Sequence, residues 1–404
     1  MHILYIHQYF KTPEEGGVIR SYYLARGLVQ KGHTVSMITA HNSPNYARRL
    51  IDGIHVHYLP VHYEQDWGFF RRVWAFILFV FHVCRFARQF TNADVCYVTS
   101  TPLTVGLIAL YLGRKLSIPY YFEVRDLWPE APIQLGYVKS KLLISLLRRF
   151  EKEVYRCAKG IVVLSPAILK HVRQLVPTQH VLLIPNLSAC DFFTKTEKNP
   201  YHEYQFNVEC KFVITYFGAV GRVNQLEYFL ETAKICKDRF PDVVFFLAGQ
   251  GCELPRIRHL AKTMELSNLR FVPFQNKYGL LSLLNITDFV YISFANYPVL
   301  QSNSPNKFFD ALAAGKPCAI TTPGWLANLV ESNQCGFYFD PDQPDTFIEK
   351  ITPFLSDPHY LAACKANARH LAEREFDKEK QIQKLVEMIC PEPEPALKAY
   401  TLHV

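Results

Sequence analysis

The sequence lacks most of what would tie a chain together covalently or through metal. Its 11 cysteines include no CxxC pair and no cysteine–histidine cluster at zinc spacing. That argues against a zinc site or a disulfide framework, and for reduced thiols in a cytoplasmic setting. Met1 leads directly into the strand-like HILYIH, so no leader is expected. The longest apolar run, Val73–Cys84, is about a dozen residues and contains a histidine; a membrane span needs roughly 20. Lysines and arginines form no run beyond a few adjacent pairs, and no nucleic-acid motif is present, so nucleic acid is not an expected partner. No internal sequence repeat is visible.

What is present is the composition of a globular protein, 49% hydrophobic and 20% charged, over 404 residues. That length suits two cores better than one. The net charge of +8 is uneven. Residues 1–189 hold 22 of the 44 Lys/Arg but 11 of the 36 Asp/Glu, so the basic excess lies entirely in the first half. A basic half suits anionic lipid or a phosphate-bearing substrate.

Short β-branched runs alternate with helical stretches almost throughout. HILYIH, TVSMIT, IHVHYL, VCYVTS, PYYFEV, GIVVLS and VLLIP fill the first half; FVITYF, VVFFLA, NLRFVP, DFVYIS and PCAITT fill the second. Between them, residues 186–210 are polar and irregular. The pattern predicts an α/β protein of two Rossmann-like, doubly wound domains facing a cleft. The expected domains are 1–189 and 205–372. A helix over 373–390 is expected to pack back on the first domain, with a frayed tail over 391–404. Ligands of open parallel sheets bind at the carboxyl ends of the strands, which places the site in the cleft.

Gly16 and Gly17 precede a helical stretch containing Arg20. Such a loop either makes an ordinary strand–helix turn or lets backbone approach a phosphate at the helix start. The context decides. HQYFKTPEEGGVIRSYYLARGLVQKGHTVSMIT, FEVRDLWPE, IPN at 184–186 and SPNKFFDALAAGKP at 304–317 together resemble the retaining GT-B glycosyltransferases of family 4. The FEVRDLWPE and SPNKFFDALAAGKP segments resemble those of a bacterial surface-polysaccharide subgroup. The resemblance covers nearly the whole chain.

The resemblance implies a donor site in the second domain. A departing sugar leaves negative charge on a nucleoside diphosphate, which preorganised cations and backbone N–H groups stabilise. Arg222, after Gly218, matches the family's phosphate-contacting arginine. Lys307 matches the lysine of the PNK segment. Asp310 matches the second of two family glutamates eight apart, whereas the first position holds Ser302, which is no carboxylate. Ser302, Asn303, Ser304 and Asn306 are therefore expected to offer hydroxyls, amides and N–H groups to the sugar. Glu227 stands near the place of the family's second cation. Gly249, Gly251 and Phe274 are equally strand-end turns or contacts to the nucleotide.

On the acceptor side the resemblance implies Gly16, Gly17, Arg20, Glu123 and Arg125 as an acceptor or phosphate loop, with Asp126 catalytic beside Arg222 and Lys307. Arg125–Asp126 reads equally well as a structural pair. Trp128 could pack a sugar face, and His7 is more readily structural. Family members retain configuration without a protein nucleophile, so none is nominated. No cofactor or metal is expected; the substrate is a nucleotide sugar, UDP-sugars first.

RRVWAFILFVFHVCRFAR, within 69–90, is aromatic and bracketed by arginines. It suits a helix lying in the lipid interface, and it equally suits a core helix. The expectation is a transferase acting on a lipid-linked saccharide in O-antigen, capsule or exopolysaccharide synthesis. It would be held peripherally on the inner face of the cytoplasmic membrane. The alternatives are a degenerate, membrane-associated assembly partner, for which Ser302 speaks, and a nucleotide-sugar epimerase.

Overall fold

The computed structural model describes residues 1–17, 19–64, 67–194 and 197–391. All of the expected tail after Pro391 lies outside the described residues.

Two parallel sheets organise the chain, as the alternation predicts. The first contains β1 (His2–Ile6), β2 (Thr34–His41), β3 (Ala47–Ile51), β4 (Ile54–Pro60), β5 (Val95–Thr99), β6 (Tyr120–Val124), β7 (Gly160–Val163) and β8 (Val181–Leu183). Their order is β3-β4-β2-β1-β5-β6-β7-β8. The central strands are apolar on both faces because helices cover both: β5, β6 and β7 are buried at every residue. The second sheet holds β9 (Phe212–Ala219), β10 (Val243–Gln250), β11 (Leu269–Val272), β12 (Phe289–Ile292), β13 (Cys318–Ile320) and β14 (Gly336–Tyr338). It runs β11-β10-β9-β12-β13-β14, parallel at each pairing.

Two elements were not expected. β3 pairs antiparallel with β4 through Asp52–Gly53, with φ of 47° and 83°. Two left-handed residues make the two-residue hairpin turn that Asp-Gly favours. The strand, ARRLI, is largely exposed and polar, so no buried run announces it. Within 186–210 a short helix, Pro200–Phe206, is capped by Asn199 and ended by left-handed Asn207.

The helix Arg20–Gln30 covers one face of the first sheet. The last helix, Lys378–Ile389, lies against it: a Cβ on Gly27 would come within 2.3 Å of Ile382. Tyr121 donates its hydroxyl to the Met388 carbonyl at 2.8 Å. The chain thus ends its described course on the domain where it began.

The opposite face carries the helix Phe69–Phe86. Phe79, Val83 and Ala87 belong to the core beneath the sheet, whereas Trp74 is 60% and Phe81 63% exposed. One side of this stretch is core and the other faces out. The helical segment Phe70–Phe90 is also longer than the apolar run suggested: its 21 residues are long and apolar enough to cross a membrane by composition. With Phe79 fully buried in the domain core, it lies along the domain instead.

The carboxyl edges of the two sheets face each other. Asn276, beyond β11, donates to the Glu14 carbonyl at 3.1 Å, and Gln134, beyond β6, accepts from the Val299 amide at 2.9 Å.

Candidate functional site

Gly16 is the tightest point of this cleft. It has φ of 71°, and a Cβ there would lie 2.9 Å from the Asn276 Cα and 3.1 Å from the Phe274 ring. A glycine is required both by the left-handed backbone and by the opposite wall. Gly17, φ 86°, has open space around it. The loop expected to meet phosphate therefore bridges the cleft, and Phe274 is its partner across it.

At the carboxyl ends of β1, β5 and β6 a polar group collects. His7 is buried, with Nδ1 2.8 Å from the Ser21 hydroxyl and Nε2 3.4 Å from the Arg125 guanidinium. The guanidinium can only donate, so Nε2 accepts and Nδ1 carries the proton toward Ser21. Burial, then the Arg125 charge, holds the imidazole well below its ordinary pKa, so it is neutral. The Arg125 amide is anchored on the Ser100 hydroxyl at 3.1 Å. Beside it, half-buried Asp126 has its carboxyl pushed up by lost solvation, against Arg125 and a hydrogen bond from Thr101. Trp128, half-buried, follows in the same loop.

Arg20 and Glu123 are a correction. They are not lining residues. Arg20 Nε donates to Glu123 Oε1 at 2.7 Å, Nη1 to the Pro185 carbonyl at 2.5 Å and Nη2 to the Ile184 carbonyl at 2.9 Å. Tyr97 donates to the same carboxylate at 3.0 Å. Both side chains are buried and paired with each other; Glu123 Oε1 takes both donors while Oε2 has no partner among the described residues, and the pair fixes the end of the first domain.

On the second domain Lys307 occupies the start of the helix Asn306–Ala313. Its Nζ donates to the Tyr216 hydroxyl at 2.7 Å and lies 3.9 Å from that ring's centroid. Its Cε would be 3.3 Å from a Cβ on Gly218, whose φ is 125°. Burial lowers its pKa to about 7, and among the described residues no carboxylate opposes that effect. The first amides of any helix lack an internal acceptor. An unpaired cation and those amides therefore share one small region.

Asp310, one turn along, is held differently. It receives Lys277 Nζ at 2.5 Å, and both side chains are buried. Burial raises its pKa, against Lys277. Lys277 also lies over the Phe193 ring. The sequence reading missed Lys277: a lysine at a helix start looks like a solvated cation.

The remaining donor candidates divide. Gly249 and Gly251 fit the strand-end reading: a Cβ on Gly249 would lie 2.0 Å from the Gly218 carbonyl oxygen, and one on Gly251 2.3 Å from that of Val220. They let β10 close on the end of β9. Ser302 spends its hydroxyl on the Val299 carbonyl at 2.6 Å, and Ser304 holds Asn186 across the domains. The Asn303 carbonyl accepts from the Trp325 indole at 2.9 Å. The two serine hydroxyls thus shape the loop, while Asn303 and Asn306 are half-buried.

Arg222 stands apart from Lys307, at the rim, with its side chain 78% exposed. It reaches Glu253 at 3.3 Å; Glu253 also holds Arg256, which pairs with Glu227. Glu227, near the place of a missing cation, therefore brings Arg256 there. Arg256 first, then Arg222, keeps the Glu253 carboxyl below its usual range. Among the described residues no group of three or more His, Cys, Asp or Glu is placed to hold a metal.

Known proteins match this architecture. Residues 15–187 match the Glycosyl transferase 4-like domain, and residues 198–371 match Glycosyl transferases group 1. WcaI of Escherichia coli (strain K12), whose name assigns it to colanic acid biosynthesis as a glycosyl transferase, is 23% identical over 274 residues. That match covers 65% of this chain and 66% of WcaI, just under two thirds of its length. Among solved structures, sucrose-phosphate synthase from Thermosynechococcus elongatus superposes with a TM-score of 0.76 at 17% identity, covering 96% of this chain and 98% of that one. WaaG, a glycosyltransferase involved in lipopolysaccharide biosynthesis, gives 0.68 at 16%, covering 97% and 100%. HepE of Anabaena, solved with UDP-glucose, gives 0.67 at 17%, covering 96% and 99%.

Proposed function

The chain is a GT-B glycosyltransferase, and from that premise we propose that it is a retaining enzyme of family 4. It would move a sugar from a nucleoside-diphosphate donor, a UDP-sugar first, to a lipid-linked saccharide in cell-surface polysaccharide synthesis. Lys307 carries the reading. A buried ammonium without a carboxylate is costly on its own and becomes favourable when an anion arrives. The helix start beside it offers amides to the same anion. A diphosphate supplies the missing charge, and HepE of Anabaena holds UDP-glucose in a fold of this kind.

In the reaction the bond between the sugar C1 and the diphosphate oxygen breaks. The acceptor oxygen bonds to C1 on the same face, and its proton passes to the leaving phosphate. Lys307 and the helix amides hold the charge that develops, while Arg222 swings in from the rim to add a second cation. Lys277 neutralises Asp310, which leaves that carboxyl's remaining lone pairs for donor hydroxyls. On the other wall, Arg125 and Asp126 orient the acceptor, with neutral His7 keeping Arg125 in place. The helical segment 69–90 meets the inner face of the cytoplasmic membrane.

A donor screen tests this. UDP-, GDP- and dTDP-sugars are offered with a lipid-pyrophosphate-sugar acceptor, and product is read by mass spectrometry. A gain of one sugar from a UDP donor is expected. UDP binding without transfer across a broad acceptor panel would favour the degenerate partner, for which Ser302 in place of a carboxylate speaks.

A further inference from the structure

Three helices form one layer under the first sheet: Phe69–Phe86, Val105–Lys115 and Lys141–Arg156. All send side chains into the same core. The middle one touches the third so closely that a Cβ on Gly106 would lie 2.6 Å from Val154. Each lies on a crossover between parallel strands. A crossover helix starts at the carboxyl edge of its sheet and runs back to the amino edge. The first halves of all three helices therefore lie at the cleft side.

The third helix has an unusual surface. Leu142 is 82% and Leu146 62% exposed, and Leu143 is exposed as well. No residue from 141 to 149 is buried; burial begins at Glu151, Val154 and Tyr155. The first half of the helix thus stands off the body with leucines in solvent. Residues 131–150 hold Lys139, Lys141, Arg148 and Arg149 and no Asp or Glu; Arg148 is paired with Glu130, just before them, at 2.8 Å, which leaves Lys139, Lys141 and Arg149 as the cations of this surface. Glu151 and Glu153, further on, are taken by His171 and by Arg114 and Arg156. On the neighbouring helices, exposed Trp74 and Leu107 also fall in the first half, at the same edge.

We propose that the first halves of these three helices form one plane that binds an anionic bilayer, with Leu142, Leu143 and Leu146 as its second limb beside Trp74. Exposed leucine among lysine and arginine is the surface such an interface selects. A second copy of the chain fits poorly, because a two-fold contact would set the same cations against each other. The plane borders the cleft, so an acceptor whose lipid stays in the bilayer meets the cleft mouth at the headgroups. That last step rests on the proposed transfer reaction; lipid binding rests on the surface alone.

The full-length protein is sedimented with vesicles of phosphatidylglycerol and phosphatidylethanolamine, and with phosphatidylcholine vesicles. Expected are binding to the anionic vesicles only, and a loss of at least about tenfold in partitioning for Leu142→Ser/Leu146→Ser, with UDP binding and melting temperature unchanged. Trp74→Ser should weaken binding independently. Wild-type binding by a normally melting double variant overturns the proposal. So does a wild-type dimer that this variant converts to monomer without change in vesicle binding. Transfer to a short, water-soluble acceptor is measured in parallel: its absence in the wild type counts against the transferase reading, and leaves the vesicle result standing.

Discussion

Arg20 and Lys307 are both buried cations near the cleft, yet they belong to different kinds of structure. Arg20 finds its counter-charge inside the fold: Glu123, with two backbone carbonyls taking its other donors. Lys307 finds a phenol and an aromatic face, and no carboxylate. A buried charge whose partner is part of the chain is finished at folding. One whose partner is missing is left to be completed by a ligand, which is the role proposed for Lys307. The presence of a counter-charge within the chain, more than burial, separates the two.

The most severe way to break this comparison is Arg20→Ala. It strands the Glu123 carboxylate in the core and frees two carbonyls, which should cost about 3–5 kcal/mol of stability. Urea unfolding followed by circular dichroism measures it. A loss under about 1 kcal/mol would mean that Arg20 is not the scaffold element described.

Arg222→Ala sharpens the other side. Its exposed pair with Glu253 contributes little to stability, so the melt should not move. Turnover should fall about a hundredfold, as when a donor to developing charge is lost. A normal rate would remove Arg222 from the chemistry and leave Arg256 as the cation to test.

Much of the fold was legible because buried parallel strands are written as unbroken apolar runs, as in VVFFLA and PYYFEV. β3 was not, since ARRLI faces solvent and only Asp52–Gly53 marks its turn. In the proposed site, Lys307 and Arg125 were singled out through their motifs. The motifs could not say that Arg20 is already satisfied, nor that Gly249 and Gly251 serve backbone packing. Lys277 meets Asp310 from 33 residues away, a proximity that no local pattern encodes.

The subtlest test concerns the proton on Lys307. Burial lowers its pKa from 10.5 to about 7, so at pH 8 the amine is mostly neutral. A bound diphosphate favours the ammonium. UDP binding at pH 8 should therefore take up a fraction of a proton, and affinity should fall as pH rises past 7. The unfolded chain keeps that proton up to its ordinary pKa, so this group makes stability rise with pH between about 7 and 10.5. Lys307→Met should abolish the uptake, flatten that slope, weaken UDP by about tenfold, or about 1.4 kcal/mol, and leave stability at pH 7 intact or slightly higher. Calorimetry in two buffers of different ionisation heat measures the proton, and the variant subtracts the nucleotide's own titration. Equal uptake by both proteins would show that Lys307 is not the group awaiting the phosphate.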